Sequence, residues 1–201
     1  MITRRLTEFS IVEKLYKTRM RKDFPRDELK PLAMIRHFWD RGRYDCYALF
    51  DGDEGLEDGE MIPAGEDAIL GYAFFVLREK DYLFDYFAIA EERRNEGLGT
   101  LFLQQLSECI RGANCIVGEV EDPDRAGNES DRELQARRLQ FYLRSGYRET
   151  GLSCKLFGVN YRILEVPTAE EHTTEELRTA YTELYRSMLP AVLFLTQVHM
   201  Y

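Results

Sequence analysis

The chain has 201 residues, of which 44% are hydrophobic and 12% aromatic, and its 27 basic and 36 acidic side chains give a net charge of −9. That length suits one domain with a small appendage, and the apolar content can bury a core, which excludes a disordered chain. The acidic balance argues against the concentrated basic face that nucleic acid requires, so no nucleic-acid partner is expected, although "RR" at 93–94 and at 137–138 leaves room for a local basic pocket.

Taken in chain order, Leu6, Phe9, Val12, Leu15 and Tyr16 recur at helical spacing and predict a helix over 6–22 with Thr7 as its N-cap. A second helix follows Pro25, with Leu29, Leu32, Ile35, Phe38 and Trp39 on one side and Gly42 at its end. The run "YDCYALF" (44–50) reads as a strand, and "DGDEGLEDGEMIPAGED" (51–67) as an acidic, glycine-rich loop. "AILGYAFFVLRE" (68–79) and "YLFDYFAIA" (82–90) read as an antiparallel hairpin turning at Lys80 and Asp81.

Leu98, Leu101, Phe102, Leu106, Cys109 and Ile110 then form the apolar stripe of a helix. "CIVGEVE" (115–121) is a strand, "DPDRAGNESD" (122–131) a turn-rich loop, and "DRELQARRLQFYLRS" (131–145) an amphipathic helix closed by Gly146. Strands around 152–158 and 160–166 complete the order. Helices, a hairpin and then a strand–helix–strand passage predict an α+β fold, with a mixed, mostly antiparallel sheet and a central parallel crossover. Residues 1–166 hold that domain and 167–201 an addition. In it, "TTEELRTAYTELYRSM" places Leu177, Tyr181, Leu184, Tyr185 and Met188 on one helical face, which packs on the domain or on a second subunit. "AVLFLTQVHMY" reads as a terminal strand, and the whole tail leans the expectation towards a homodimer.

The four cysteines lack CxxC spacing and the three histidines are scattered, so no metal site is expected. The start "MITRRLTEFS" has no apolar leader, and "MLPAVLFL" (188–195) is too short to span a bilayer. A cytoplasmic protein with reduced thiols and no membrane partner is the expectation.

The stretch "RRNEGLGT" (93–100) stops a strand, turns on bare backbone and starts a helix. Gly97 and Gly99 permit geometries that a side chain forbids, and a helix start offers unpaired N–H groups to an anion. A ligand-free turn has the same appearance. A dinucleotide fingerprint fits poorly, because Phe102 stands where close helix–strand packing requires the third glycine, and two strands and two helices precede the unit.

The segment Arg94-Asn95-Glu96-Gly97-Leu98-Gly99 instead resembles the Arg/Gln-x-x-Gly-x-Gly/Ala signature of the GCN5-related N-acetyltransferase (GNAT) family. Phe141-Tyr142-Leu143-Arg144-Ser145-Gly146-Tyr147 resembles the family's later "FYxxxGF", and both motifs fall in their expected elements and order. The resemblance, which covers residues 1–166, implies a GNAT-like acyl-CoA N-acyltransferase fold. It implies transfer of an acetyl group from acetyl-CoA, as co-substrate, to a primary amine of a small molecule or peptide. Arg94, Asn95, Gly97, Leu98, Gly99 and Thr100 would cradle the coenzyme pyrophosphate through backbone N–H groups, and Phe87, Ala88 and Ile89 would bind the pantetheine arm through their peptide groups. Tyr142 would protonate the departing thiolate. Glu119 would accept the amine proton, with Asp85 a rival base or amine anchor and Glu121 a further substrate-side carboxylate. Each also has a plain reading: Tyr142 as a core aromatic, Glu119 as a solvated strand end. Glu91, Asn95 and Glu96 depart from the family pattern, as do Gln135 and Arg138 where the family has Asn and Ala. Those departures favour the alternative, a catalytically silent acyl-CoA-binding or sensing module of the same fold.

Overall fold

The structure, a computed structural model, describes residues 1–26, 28–52 and 68–201. The predicted acidic loop therefore lies outside the described residues from position 53 to its end. The chain forms two compact units, Met1–Val76 with Tyr86–Cys109, and Leu77–Asp85 with Ile110–Tyr201.

The first unit is built on antiparallel strands, two of them buried along nearly their whole length. Strand β1 (Ile2–Arg5) pairs antiparallel with β2 (Tyr44–Phe50), from Ile2↔Phe50 to Arg5↔Tyr47. In turn β2 pairs antiparallel with β3 (Ile69–Arg78), from Tyr44↔Val76 to Phe50↔Ile69. Every residue of β2 is buried, as is β3 up to Leu77, which is why both read as near-continuous hydrophobic runs. Asp45 is the exception inside β2, and Arg5 of β1 answers its charge, with Nε 2.9 Å from Oδ1. A carboxylate at that depth must have such a partner.

Helices α1 (Phe9–Leu15), α2 (Arg21–Asp23) and α3 (Leu32–Trp39) precede β2, with a π-helical turn at Tyr16–Met20 between the first two. The helix expected over 6–22 thus changes pitch midway, and its N-cap is Glu8 rather than Thr7. Phe9 and Trp39 meet edge to face at 5.6 Å, joining α1 to α3. After the end of β4 (Asp81–Ile89) the chain makes a short 3-10 turn, Glu91–Arg93, and enters α4 (Leu98–Cys109), which buries Leu98, Phe102, Leu103 and Leu106. The Thr3 hydroxyl donates to Gln105 Oε1 at 2.7 Å, tying β1 to α4. Strand β1 escapes the sequence reading because "ITRR" is short and mostly polar.

In the second unit β4 runs parallel to β5 (Cys115–Glu121), from Asp81↔Cys115 to Phe84↔Gly118. The hairpin turn ahead of β4 falls at Glu79 and Lys80, one residue earlier than expected, with Glu79 at φ 57°. Antiparallel to β5 lies β7 (Val159–Glu165), which pairs with β6 (Arg148–Leu156), and β6 with β8 (Val198–Met200). The mixed α+β class expected from the sequence is therefore present. Helix α5 (Glu129–Arg144) starts two residues before the expected point, because Asn128 caps it by accepting from the Asp131 N–H at 2.9 Å. It packs Leu139, Tyr142 and Leu143 against Val120 and Leu164.

Helix α6 (Thr174–Met188) begins in a capping box between Thr173 and Glu176 and buries Leu177, Ala180, Tyr181, Leu184, Tyr185 and Met188. The segment before it is pinned by buried Glu165, which accepts from Arg148 Nε at 3.0 Å and lies 2.8 Å from His172 Nδ1. The end of the chain corrects the expectation of one terminal strand: Ala191–Gln197 is helix α7, and only Val198–Met200 is β8. Pro190 sets the start of α7. Cys46, Cys115 and Cys154 are buried and Cys109, at the end of α4, is exposed.

Gly71 shows how tightly β3 and β4 approach in the first unit, since a Cβ there would stand 2.6 Å from Ile89 Cδ1 and 2.9 Å from the Ala88 carbonyl oxygen. The Ala88 contact is with backbone and cannot swing away. Gly71→Ala is expected to lower stability by about 1–3 kcal/mol, read as a shifted urea midpoint at unchanged m-value. An unshifted midpoint would show that β4 can move to accommodate the methyl.

Candidate functional site

The residues singled out in the sequence fall into two main groups, one in each unit. The first is the strand–turn–helix passage from 87 to 100. Phe87 is half-buried and stacks on Phe102 at 5.6 Å, while Ala88 and Ile89 are buried. Arg94, Asn95, Glu96 and Gly97 are exposed, Leu98 is buried, and Gly99 and Thr100 are half-buried in the first turn of α4. Asn95 stands at φ 67° and Gly97 at φ 82°, both in the left-handed region. Asparagine tolerates that region better than most side chains, and glycine occupies it freely. A Cβ at Gly97 would meet nothing within 4 Å, so conformation alone explains the glycine there. Left-handed residues alternating with others turn successive N–H groups towards one point, and the start of a 12-residue helix adds its partial positive charge.

The charges around the turn are balanced in pairs. Glu96, the residue least suited to an anion site, is held by Arg93 through Nε at 2.8 Å, and Arg93 Nη1 also lies 3.5 Å from Asp51. Arg94 turns back to the protein: its Nε donates to the Ile89 carbonyl at 3.2 Å and its Nη2 to Asp23 at 3.4 Å. Asp23 accepts in addition from the Tyr72 hydroxyl at 2.6 Å. The signature arginine therefore braces the exit from β4, and the Ile89 carbonyl is already bonded. Tyr86, next to Phe87, accepts from the Lys30 N–H at 2.8 Å and donates to the Glu28 carbonyl at 3.0 Å, fixing the loop after α2.

The second group centres on Glu119 of β5. Its Oε1 accepts from two phenols of α6, Tyr181 at 2.5 Å and Tyr185 at 2.6 Å. Both rings are buried, 0% and 4% exposed, and lie 4.8 Å apart. Burial above all, and then the Glu119 charge, push both phenols well above their ordinary range, so they stay protonated as donors. Half-buried Asp85 belongs to the same neighbourhood, since its charge adds to the upward push on Tyr185. Cys154 of β6 lies beside Tyr181, and burial raises its thiol. Glu119 is thus no solvated strand end. Glu121, two residues on, has other partners: Arg138 Nη1 at 2.5 Å and Gln135 Nε2 at 3.2 Å.

Tyr142 stands on α5 among aromatic rings, with Phe84 at 6.5 Å, Phe141 at 5.2 Å and Tyr147 at 5.2 Å. Its ring is half-buried against the Val120, Leu139 and Leu164 cluster. Burial pushes the hydroxyl up to about 12, with Arg138 pulling it back. The first unit brings Phe87, Ala88 and Ile89 together with residues 94–100, and the second brings Glu119 and Asp85 to the α6 tyrosines. Tyr181 and Tyr185 read in the sequence as core residues of a helical stripe. The signal for more was their hydroxyls, which need partners once buried. Among the described residues no group of three or more His, Cys, Asp or Glu side chains is placed to hold a metal ion, and no helix is long and apolar enough to cross a membrane.

No family model matches the sequence, and no curated protein matches it. Solved structures do. A Bacteroides thetaiotaomicron protein described as a GNAT-family acetyltransferase is 19% identical with a TM-score of 0.67, covering 92% of this chain and 96% of that one. The Escherichia coli ribosomal-protein-S18-alanine N-acetyltransferase is 15% identical with a TM-score of 0.54, over 85% and 97% of the two chains. An aminoglycoside 6'-N-acetyltransferase complexed with coenzyme A is 13% identical with a TM-score of 0.55, over 85% and 100%. The chain has the fold of the GNAT acetyltransferases.

The left-handed residue at 95 gives a direct test of the turn. Asn95→Val is expected to cost about 1–2 kcal/mol of stability, and Asn95→Gly to leave it unchanged or slightly improved, both measured by urea unfolding. Equal loss in the two variants would mean that the Asn95 side chain, and not its backbone angle, matters.

Proposed function

We propose that the protein is an acetyl-CoA-dependent N-acetyltransferase acting by direct transfer on a primary amine of a small molecule or peptide. The observation that carries this reading is the turn at 94–100, where two left-handed residues lead into the start of α4 and the one offending carboxylate, Glu96, is neutralised by Arg93. That cradle suits a pyrophosphate, and the fold that holds it is the fold of solved acetyltransferases, one of them complexed with coenzyme A.

Bound acetyl-CoA would supply the thioester carbonyl that the amine attacks. The N–H groups of residues 95–100 would hold the phosphates, and the peptide groups of Phe87 and Ala88 the pantetheine arm. Ile89 contributes its remaining N–H, because its carbonyl serves Arg94. Holding the two reactants in register can itself supply ~7–11 kcal/mol of the barrier. Tyr142, with a hydroxyl pushed up to about 12, keeps its proton through neutral pH and can donate it to a leaving thiolate. Glu119 is the proposed proton acceptor, and Asp85 the proposed anchor for the ammonium. Glu121 is the weaker substrate residue, since Arg138 already answers its charge.

A second reading, a silent acyl-CoA-binding module, is favoured by one observation: two phenols already bind the Glu119 carboxylate. Calorimetric titration with acetyl-CoA, followed by thiol release across an amine panel, separates the two. Gly97→Val should weaken acetyl-CoA binding about tenfold or more, or ~1.4 kcal/mol, and, because valine is strained at φ 82°, should also lower stability by about 1–2 kcal/mol. Tyr142→Phe should lower kcat by ~10²-fold at unchanged acetyl-CoA affinity. Binding without turnover in the unaltered protein would support the silent module, and absence of binding would overturn both readings.

A further inference from the structure

We propose that Tyr181 and Tyr185 are positioning residues for Glu119, so that helix α6 of the C-terminal segment is part of the catalytic machinery. The proposal rests on Glu119 serving as the proton acceptor of the transfer reaction. Both phenols lie one helical turn apart on the buried face of α6, and both hydroxyls converge on the same oxygen, Oε1, at 2.5 and 2.6 Å. Burying a helix stripe does not require this, because phenylalanine buries as much ring and needs no partner. Nor does satisfying two phenols, since any carbonyl would serve each of them separately. Convergence on one carboxylate oxygen does something further. Two donors at fixed points remove the side chain's rotational freedom, and charge-assisted bonds of this length favour the ionised form. They account for two of the roughly four acceptor positions of a carboxylate.

The anchoring of α6 points the same way. Its N-terminus is fixed by the Thr173–Glu176 capping box, and the preceding segment is held to β6 and β7 through Glu165, Arg148 and His172. Between the two phenols Arg78 Nη2 stands 3.5 Å from Glu183. The phenols therefore reach Glu119 from a helix that is secured ahead of them and between them. Groups near Glu119 include Tyr181 and Tyr185 from α6 and Cys154 from β6, Asp85 of β4 acts on Tyr185, and Ile163 of β7 stands opposite Glu119 in register. The charged and polar side chains of α5 nearby, Arg138 and Gln135, are bonded to Glu121 instead.

The test uses the full chain labelled with carbon-13 at its glutamate side-chain carboxyls, with Glu119→Gln identifying the Glu119 resonance. That resonance is titrated with pH in the unaltered protein and in Tyr181→Phe, Tyr185→Phe and the double variant, and kcat, KM for the amine and acetyl-CoA affinity are measured in parallel. In the double variant the Glu119 midpoint should move up, because two donors to its charged form are gone. The acid limb of kcat/KM should move up with it, and kcat should fall about tenfold or more at unchanged acetyl-CoA affinity. If the double variant does not fold, the single variants carry the same comparison with smaller shifts. A Glu119 midpoint and a kcat that stay put in well-folded variants would overturn the proposal and leave the tyrosines as anchors of α6. Should the unaltered protein turn over no amine, the enzymatic reading falls while the titration still decides whether the phenols hold Glu119 ionised.

Discussion

Withdrawing a carboxylate from water obliges a protein to provide donors, and in the second unit that obligation falls at Glu119. The response comes from far along the chain. Tyr181 and Tyr185 arrive on α6, whose start is set by a capping box and whose approach is set by the buried Glu165 group. Strand β5 therefore carries, near its end, a side chain whose surroundings depend on residues more than sixty positions later. The segment 167–201 is bound into this unit by a chemical contact, not merely by apolar packing.

In the first unit the governing constraint is conformational. A turn that points several N–H groups one way must place residues in the left-handed region, and the chain does so with asparagine at 95 and glycine at 97. Two arginines and the nearest carboxylate of the turn are engaged by the protein itself. Arg93 neutralises Glu96, and Arg94 is turned inward to the Ile89 carbonyl and Asp23. The signature arginine has the part of a brace, holding the strand exit against the end of α2.

How much of this was legible in the sequence varied with the physics behind each element. Strands β2, β3 and β5 were plain because a strand buried along its length is written as an apolar run, and the helices at 98 and 131 because a one-sided helix repeats every three or four residues. Strand β1 was invisible, since four mostly polar residues carry no periodicity. The final segment misled because "AVLFLTQVHMY" is apolar without a phase, and Pro190 ahead of it favours a helix start that apolarity alone does not reveal. The glycine turn was legible as a motif, but the inward course of Arg94 was not, because a motif fixes residue types and not hydrogen-bond partners. Glu119 was legible only through the family resemblance, whereas its two phenols lay hidden in a stripe whose hydrophobic logic was already complete without their hydroxyls.

The lone exposed thiol, Cys109, closes the same helix that opens at the glycine turn. Over 12 residues that puts it roughly 18 Å from the helix start, at about 1.5 Å per residue. Burial of part of the side chain and the nearby Glu108 hold the thiol above its ordinary range, so mildly alkaline conditions suit its alkylation, while Cys46, Cys115 and Cys154 are shielded. A single environment-sensitive dye can thus be attached to one end of a dipole whose other end is the proposed cradle. An anion arriving there would alter the field along α4. The exposed thiol would then give an optical readout of the proposed ligand.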